Sequence, residues 1–267
     1  MISRTQQTWA FFYRDWQLTR SYWSWVLVFT FYAIVTSATV ALIGVAAGDP
    51  RLTLTLTIGV LLWSFLSVLF NEISMSIAFE RWEGTLEYTF MAPVPRLIHL
   101  MGISLYAVTY SLFRVICVLA GLMLMIDLPF KWSQLPGVLI VLGVSSVAFV
   151  GLGLIAAILP VMSPERGAEA TNILQGVLLL VSGVYYPVEV LPNWIQPLAW
   201  FSPATYALRA SRRLLGLEGN GPTNLSGILP DLSRLVLLGL ILVPVGLWLF
   251  GRAEEWAKRN GKLKRTG

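Results

Sequence analysis

Three groups of residues in this sequence could do chemistry. The first is the stretch FERWEGTLEYTFMAPVPR, residues 79–96, which separates two long apolar runs. Trp82, Leu86 and Phe90 recur at i, i+4 and i+8, and Glu80, Glu83 and Glu87 at i, i+3 and i+7. A short helix through the stretch therefore carries an apolar face and an acidic face. Gly84 weakens that helix, and Pro93 and Pro95 end it before the next run. Charge flanked by aromatic anchors is the composition of a docking surface. A solvated surface helix touching nothing is the other reading, and the residues alone leave both open.

The second group is Asn71, Glu72 and Arg114, polar side chains inside otherwise apolar runs. Such residues are functional candidates because an unpaired charge in hydrocarbon is costly. At a helical rise of about 1.5 Å per residue, Glu72 and Arg114 sit roughly 10 and 25 Å from the cytoplasmic ends of their runs. That mismatch speaks against direct pairing and for Glu72 snorkelling to the interface while Arg114 faces the bundle interior. The third group is the sole histidine, His99, and the sole cysteine, Cys117. They exclude an intrachain disulfide and supply neither a metal cluster nor a nucleophile with its base, so a membrane-embedded hydrolase or transferase is disfavoured.

The elements that must position these residues are membrane helices. Of the 267 residues, 56% are hydrophobic and 12% charged, with a mean hydropathy of +0.71; an ordinary soluble domain is about 25% charged. Apolar runs reach the ~20 residues that cross a bilayer as helix, and they lack the alternation of a barrel strand. The expected fold class is an all-α integral membrane protein forming a single domain, with six spans near 24–47, 53–79, 97–126, 134–160, 171–186 and 231–250.

Before the first span, Trp9, Phe12, Tyr13, Trp16 and Trp23 alternate with Arg14, Asp15, Gln17 and Arg20. Residues 1–23 are therefore expected to form an interfacial helix. The N-terminus lacks a short apolar core with a cleavage site and does not read as a removable signal. With six spans and both termini cytoplasmic, twelve of the 19 Lys and Arg lie inside, including the basic tail 251–267, and six lie outside. That bias is the positive-inside pattern. The net charge of +5 is thus assigned to topology and anionic lipid rather than nucleic acid.

Residues 187–216 are too apolar for a loop, yet Pro187, Pro192, Pro197 and Pro203 leave no room for a 20-residue helix. A re-entrant helical pair on the outer side fits both facts, provided its backbone is buried against protein. Tyr185, Tyr186, Pro187, Trp194 and Pro203 are its candidate gate residues.

Segment 80–95, following one span and preceding another, resembles the cytoplasmic loop of ABC transporter permeases of the polysaccharide and drug exporter type. The later run YYPVEVLPNWIQPLAWFSPATYALRASRRLLGL is similar to the outer loop of the same family. The resemblance implies a permease subunit in the cell inner membrane. It implies pairing with a second permease chain, as homodimer or related heterodimer, and with a cytoplasmic ATP-binding subunit that carries ATP and Mg. This chain would bind no cofactor itself and would not be an enzyme. Residues 80–95 would be the coupling helix, with Glu80, Arg81, Trp82, Glu83, Gly84, Leu86, Glu87 and Phe90 contacting the ATPase. The cargo would be an amphipathic drug, lipid or lipid-linked glycan. No G-x-x-x-x-G-K-[ST] phosphate loop occurs in the sequence. The competing reading is an ion-coupled secondary transporter or channel, for which Glu72 is the one supporting residue.

Overall fold

The computed structural model describes residues 3–128, 132–163, 166–218 and 225–262. Lys131, Pro164, Glu165 and residues 263–267 of the expected tail lie outside these ranges. Among the described residues every regular element is helical. The elements are α1 (Arg4–Ser21), α2 (Trp23–Ala46), α3 (Pro50–Trp82), α4 (Leu86–Met91), α5 (Arg96–Met125) and α6 (Leu135–Ala156). After them come α7 (Ile158–Met162), α8 (Gly167–Val181), α9 (Gln196–Ala199), α10 (Pro203–Leu214) and α11 (Leu225–Arg259). Among the described residues five helices are long and apolar enough to cross a membrane: α2, α3, α5, α6 together with α7, and α11.

Local sequence explains where these helices begin. Ser3 and Gln6 form a reciprocal cap at the start of α1. The Asp49 side chain accepts from the amides of Arg51 and Leu52, with Pro50 in the first turn of α3. The preceding Gly48 takes φ 66° to close α2.

Helix α3 is the centre of the bundle, packed by α2, α5, α6 and α10. Its Phe65, Leu66, Leu69, Ile73 and Ile77 are fully buried. The most extensive pairing of long helices is α6 on α11. A Cβ added at Gly151 would fall 2.6 Å from the backbone carbon of Leu242, and one at Gly246 would fall 2.8 Å from the Gly151 carbonyl oxygen. Small residues at such a crossing bring backbones close enough for dispersion to hold helices together where water cannot drive them. By contrast, α2 exposes Leu27, Val28, Phe31 and Ile43, the side chains a bilayer would solvate.

Three expectations are revised, and a fourth gains detail. Residues 79–96 are not one helix: Glu80, Arg81 and Trp82 are the last turn of α3, Gly84 turns the chain at φ 74°, and α4 holds only Leu86–Met91. The acidic face could not predict this because Glu80 and Arg81 find partners and stay inside. The expected span 171–186 is a helix of 15 residues that starts and ends earlier, at Gly167 and Val181. The final helix runs unbroken through Pro230 and Pro244 to Arg259, so the first part of the expected tail continues it. Finally, the segment after Tyr186 is unequal, with a four-residue α9 and a 12-residue α10.

Arg51, at the start of α3, donates to the carbonyls of Gly216 and Leu217, whereas residues 80–96 adjoin its other end. At ~1.5 Å per residue the 33 residues of α3 hold these two regions about 50 Å apart.

Candidate functional site

At the end of α3 that carries residues 79–96, α1, α3 and α5 meet in a charged cluster. The approach of α1 to α5 is close, since a Cβ at Gly102 would lie 2.6 Å from Phe11 Cβ. This brings Arg14 to Glu80, with which it forms an ion pair, and its Nη2 sits 2.7 Å from Asp15 Oδ1. The Ser76 hydroxyl donates to Asp15 Oδ2 at 2.9 Å. His99 Nε2 lies 2.9 Å from Glu80 Oε1, with the Phe11 ring 4.7 Å from the imidazole. Burial pushes the Asp15 carboxyl above its ordinary value, while Arg14 and the Ser76 hydroxyl act against that. The sequence reading assigned Glu80 to a partner-facing surface; here it is 4% exposed and holds three helices of its own chain together.

Arg81 is likewise internal, fully buried, with its guanidinium donating to the carbonyls of Val161 and Lys262. It thereby ties the end of α3 to the end of α7 and to the chain beyond α11. Leu86 and Phe90 are buried too, the Phe90 ring 6.2 Å from that of Phe250. Trp82, 40% exposed, Glu83, Tyr88 at 77% and Met91 at 67% form the outward surface, with Glu87 half-buried. Tyr88 and Met91 were not singled out from sequence. The available signal was their position on α4 opposite the i, i+4 pair Leu86 and Phe90.

Between α1, α2, α3, α5 and α8 lies a cleft of about 930 Å³. The adjacent Asn71 and Glu72 of α3 and the sequence-distant Arg114 of α5 line it together. Its other walls are Trp25, Phe29 and Tyr32 of α2, Tyr106 and Tyr110 of α5, and Asn172 and Gln175 of α8. Arg114 does not form an ion pair with Glu72: its Nη2 donates to the Phe29 carbonyl at 3.0 Å. Helical depth alone had argued against that pair. The amide of Gln175 donates to the Ser67 carbonyl at 2.9 Å, closing one side. The cleft combines charged and amide groups with stacked rings, a lining suited to an amphipathic guest.

At the opposite end, Arg212 of α10 donates to the carbonyls of Gly183 and Val184 at 3.1 and 2.7 Å. These bonds hold the turn after α8 against α10, whose Ala204, Tyr206, Ala207 and Leu208 are buried. Tyr185 is 39% exposed. The Tyr186 hydroxyl donates to the Leu180 carbonyl at 2.7 Å, Pro187 is exposed and Pro203 is buried in the first turn of α10. Trp194 is 78% exposed. The five candidate gate residues thus share this end but do not form one cluster.

The family described as ABC-2 type transporter matches over residues 4–215. Over 130 residues the chain is 28% identical to a protein named "Probable multidrug ABC transporter permease YbhR" of Escherichia coli (strain K12), covering 49% of this chain and 35% of that one. Over 98 residues it is 27% identical to the "Linearmycin resistance permease protein LnrN" of Bacillus subtilis (strain 168), covering 37% and 25%. The chain thus spans about a third of the length of the first relative and about a quarter of the second in these matches.

Proposed function

Because the chain belongs to the ABC-2 type transporter family, we propose that it is the membrane permease subunit of an ATP-driven exporter. It works with a second permease chain and with a separate ATP-binding subunit. The observation that carries this reading is the family match across 4–215, joined to a helical bundle with five membrane-capable helices. In this reading α8 completes the bundle as a sixth, short span, α1 lies in the headgroup plane, and residues 80–95 lie on the cytoplasmic side. The outward surface of Trp82, Glu83, Glu87, Tyr88 and Met91 then meets the ATPase. The interior contacts of Glu80 and Arg81 carry its movement to α1, α5, α7 and the end of α11.

The cleft lined by Asn71, Glu72 and Arg114 is the part of the path that first holds the cargo, an amphipathic molecule such as a drug or lipid. Residues 187–216 close the far end. Names of the relatives support drug efflux as the biological setting.

The test is to co-express this chain with a candidate ATP-binding subunit, reconstitute the complex, and measure ATP hydrolysis and vesicle efflux across drugs, lipids and lipid-linked glycans. Stimulation by one class with ATP-dependent efflux is the expected result. Movement of solute driven by an ion gradient, without ATP or an ATPase partner, would replace the proposal with a secondary transporter.

A further inference from the structure

We propose that the cleft between α2, α3, α5 and α8 is selective for lipophilic cations, with Glu72 as the counter-ion. Resting on the permease reading, this names the substrate class of that path. Three carboxylates face the interior of the cleft, Asp15, Glu72 and Glu80, with the exposed Glu83 at its rim, against two guanidinium groups, Arg14 and Arg114.

Most of these charges are already engaged. Asp15 holds Arg14 and Ser76, and Glu80 holds Arg14 and His99. Arg114 is turned to the Phe29 carbonyl. Glu72 makes no hydrogen bond and no close ion pair among the described residues; the Arg114 guanidinium acts on it only through space. A carboxylate so placed lacks the solvation it would have in water, and an entering cation supplies what is missing.

The surrounding rings point the same way. Trp25 stacks on Phe29 and Tyr106 on Tyr110, each pair with centroids 5.8 Å apart. Their π faces attract positive charge and repel negative, and flat apolar bodies pack against them. A volume of about 930 Å³ admits a molecule of drug size. An anion of equal size would meet the same rings but face the surplus of carboxylates.

Tetraphenylphosphonium and tetraphenylborate, nearly identical in shape and opposite in charge, separate the two cases. The purified chain in phosphatidylcholine nanodiscs is titrated with each, and empty nanodiscs correct for partition into lipid. Saturable binding of the cation alone is expected. Glu72→Gln should weaken it about tenfold, the order of one lost charge contact, whereas Arg114→Gln should not weaken it. Trp25→Ala, at a side chain 57% exposed and so safe for folding, should weaken it less.

Equal binding of both ions, no saturable binding of the cation, or a cation affinity unchanged in Glu72→Gln and Trp25→Ala would overturn the proposal. The assay needs no ATPase, so its failure alongside ATP-dependent efflux by the complex would remove the cation selectivity and leave the permease reading standing. Cation binding without ATP-dependent efflux would do the reverse.

Discussion

Arg96 grips Glu254 with two parallel hydrogen bonds, Nε to Oε2 and Nη2 to Oε1, both 2.8 Å. The same guanidinium donates to the carbonyls of Thr89 and Phe90 at the end of α4 and lies 4.4 Å from the Phe90 ring centroid. One side chain therefore fixes α4, the start of α5 and the last turns of α11. A lysine cannot reproduce the fork. Arg96→Lys should cost about 2 kcal/mol of stability, and Arg96→Ala more, since it leaves a partly buried carboxylate with Lys258 as its remaining partner. Thermal unfolding of purified variants in detergent reads both; equal melting of wild type and Arg96→Lys would show that the pair does not hold the region.

The division of the acidic residues into an inner and an outer set predicts two different phenotypes. Glu80→Ala leaves Arg14 and His99 without a shared partner in a buried cluster and should cost about 3 kcal/mol or more, with low yield of folded protein. The Glu83→Ala, Glu87→Ala double variant should melt like wild type and instead weaken co-purification of the ATP-binding subunit. Thermal melts and pull-downs on the same samples distinguish the two, and a stable Glu80→Ala protein would contradict the inner assignment.

Gly84 offers a way to probe the docking surface without touching the bundle. Its φ of 74° is one that L residues adopt at a cost of about 1–2 kcal/mol, and nothing lies within 4 Å of an added Cβ. Gly84→Asn should be nearly silent, because Asn tolerates this conformation. Gly84→Trp should insert and fold, yet lose the ATPase subunit, since the added bulk is felt only by a partner. Wild-type transport by Gly84→Trp would show that this turn is not in the interface.

The α6–α11 crossing makes a prediction with an internal control. At Gly151 an added methyl collides with backbone atoms of Leu242 and Val243, whereas at Gly143, on the same helix, it meets nothing within 4 Å. Gly151→Ala should therefore destabilise by about 1–3 kcal/mol. Gly143→Ala should be neutral or stabilise by up to about 1 kcal/mol. Similar melting of the two variants would mean that the crossing is not close.

Topology is tested by a cysteine at Glu87 in a Cys117→Ser background. It should react with an impermeant maleimide only after the cells are opened. Reaction in intact cells would invert the proposed orientation.

Composition, run length and helix breakers carried much of this architecture. The 56% apolar content required a membrane helix bundle, and Asp49-Pro50, Gly84 and Pro95 mark where helices start or the chain turns because capping and backbone restrictions act over a few residues. What the tertiary structure decided is which charges are hidden. Glu80 and Glu83 are three residues apart and chemically alike, but Glu80 meets His99 and Arg14 while Glu83 meets solvent. Arg81 is buried through a carbonyl 181 positions away. Asn71, Glu72 and Arg114 enclose one cleft only because α3 and α5 pack side by side with α2 and α8. Periodicity reports the direction in which a side chain leaves its own helix; whether a partner from another helix waits there depends on packing between segments that the local sequence does not encode.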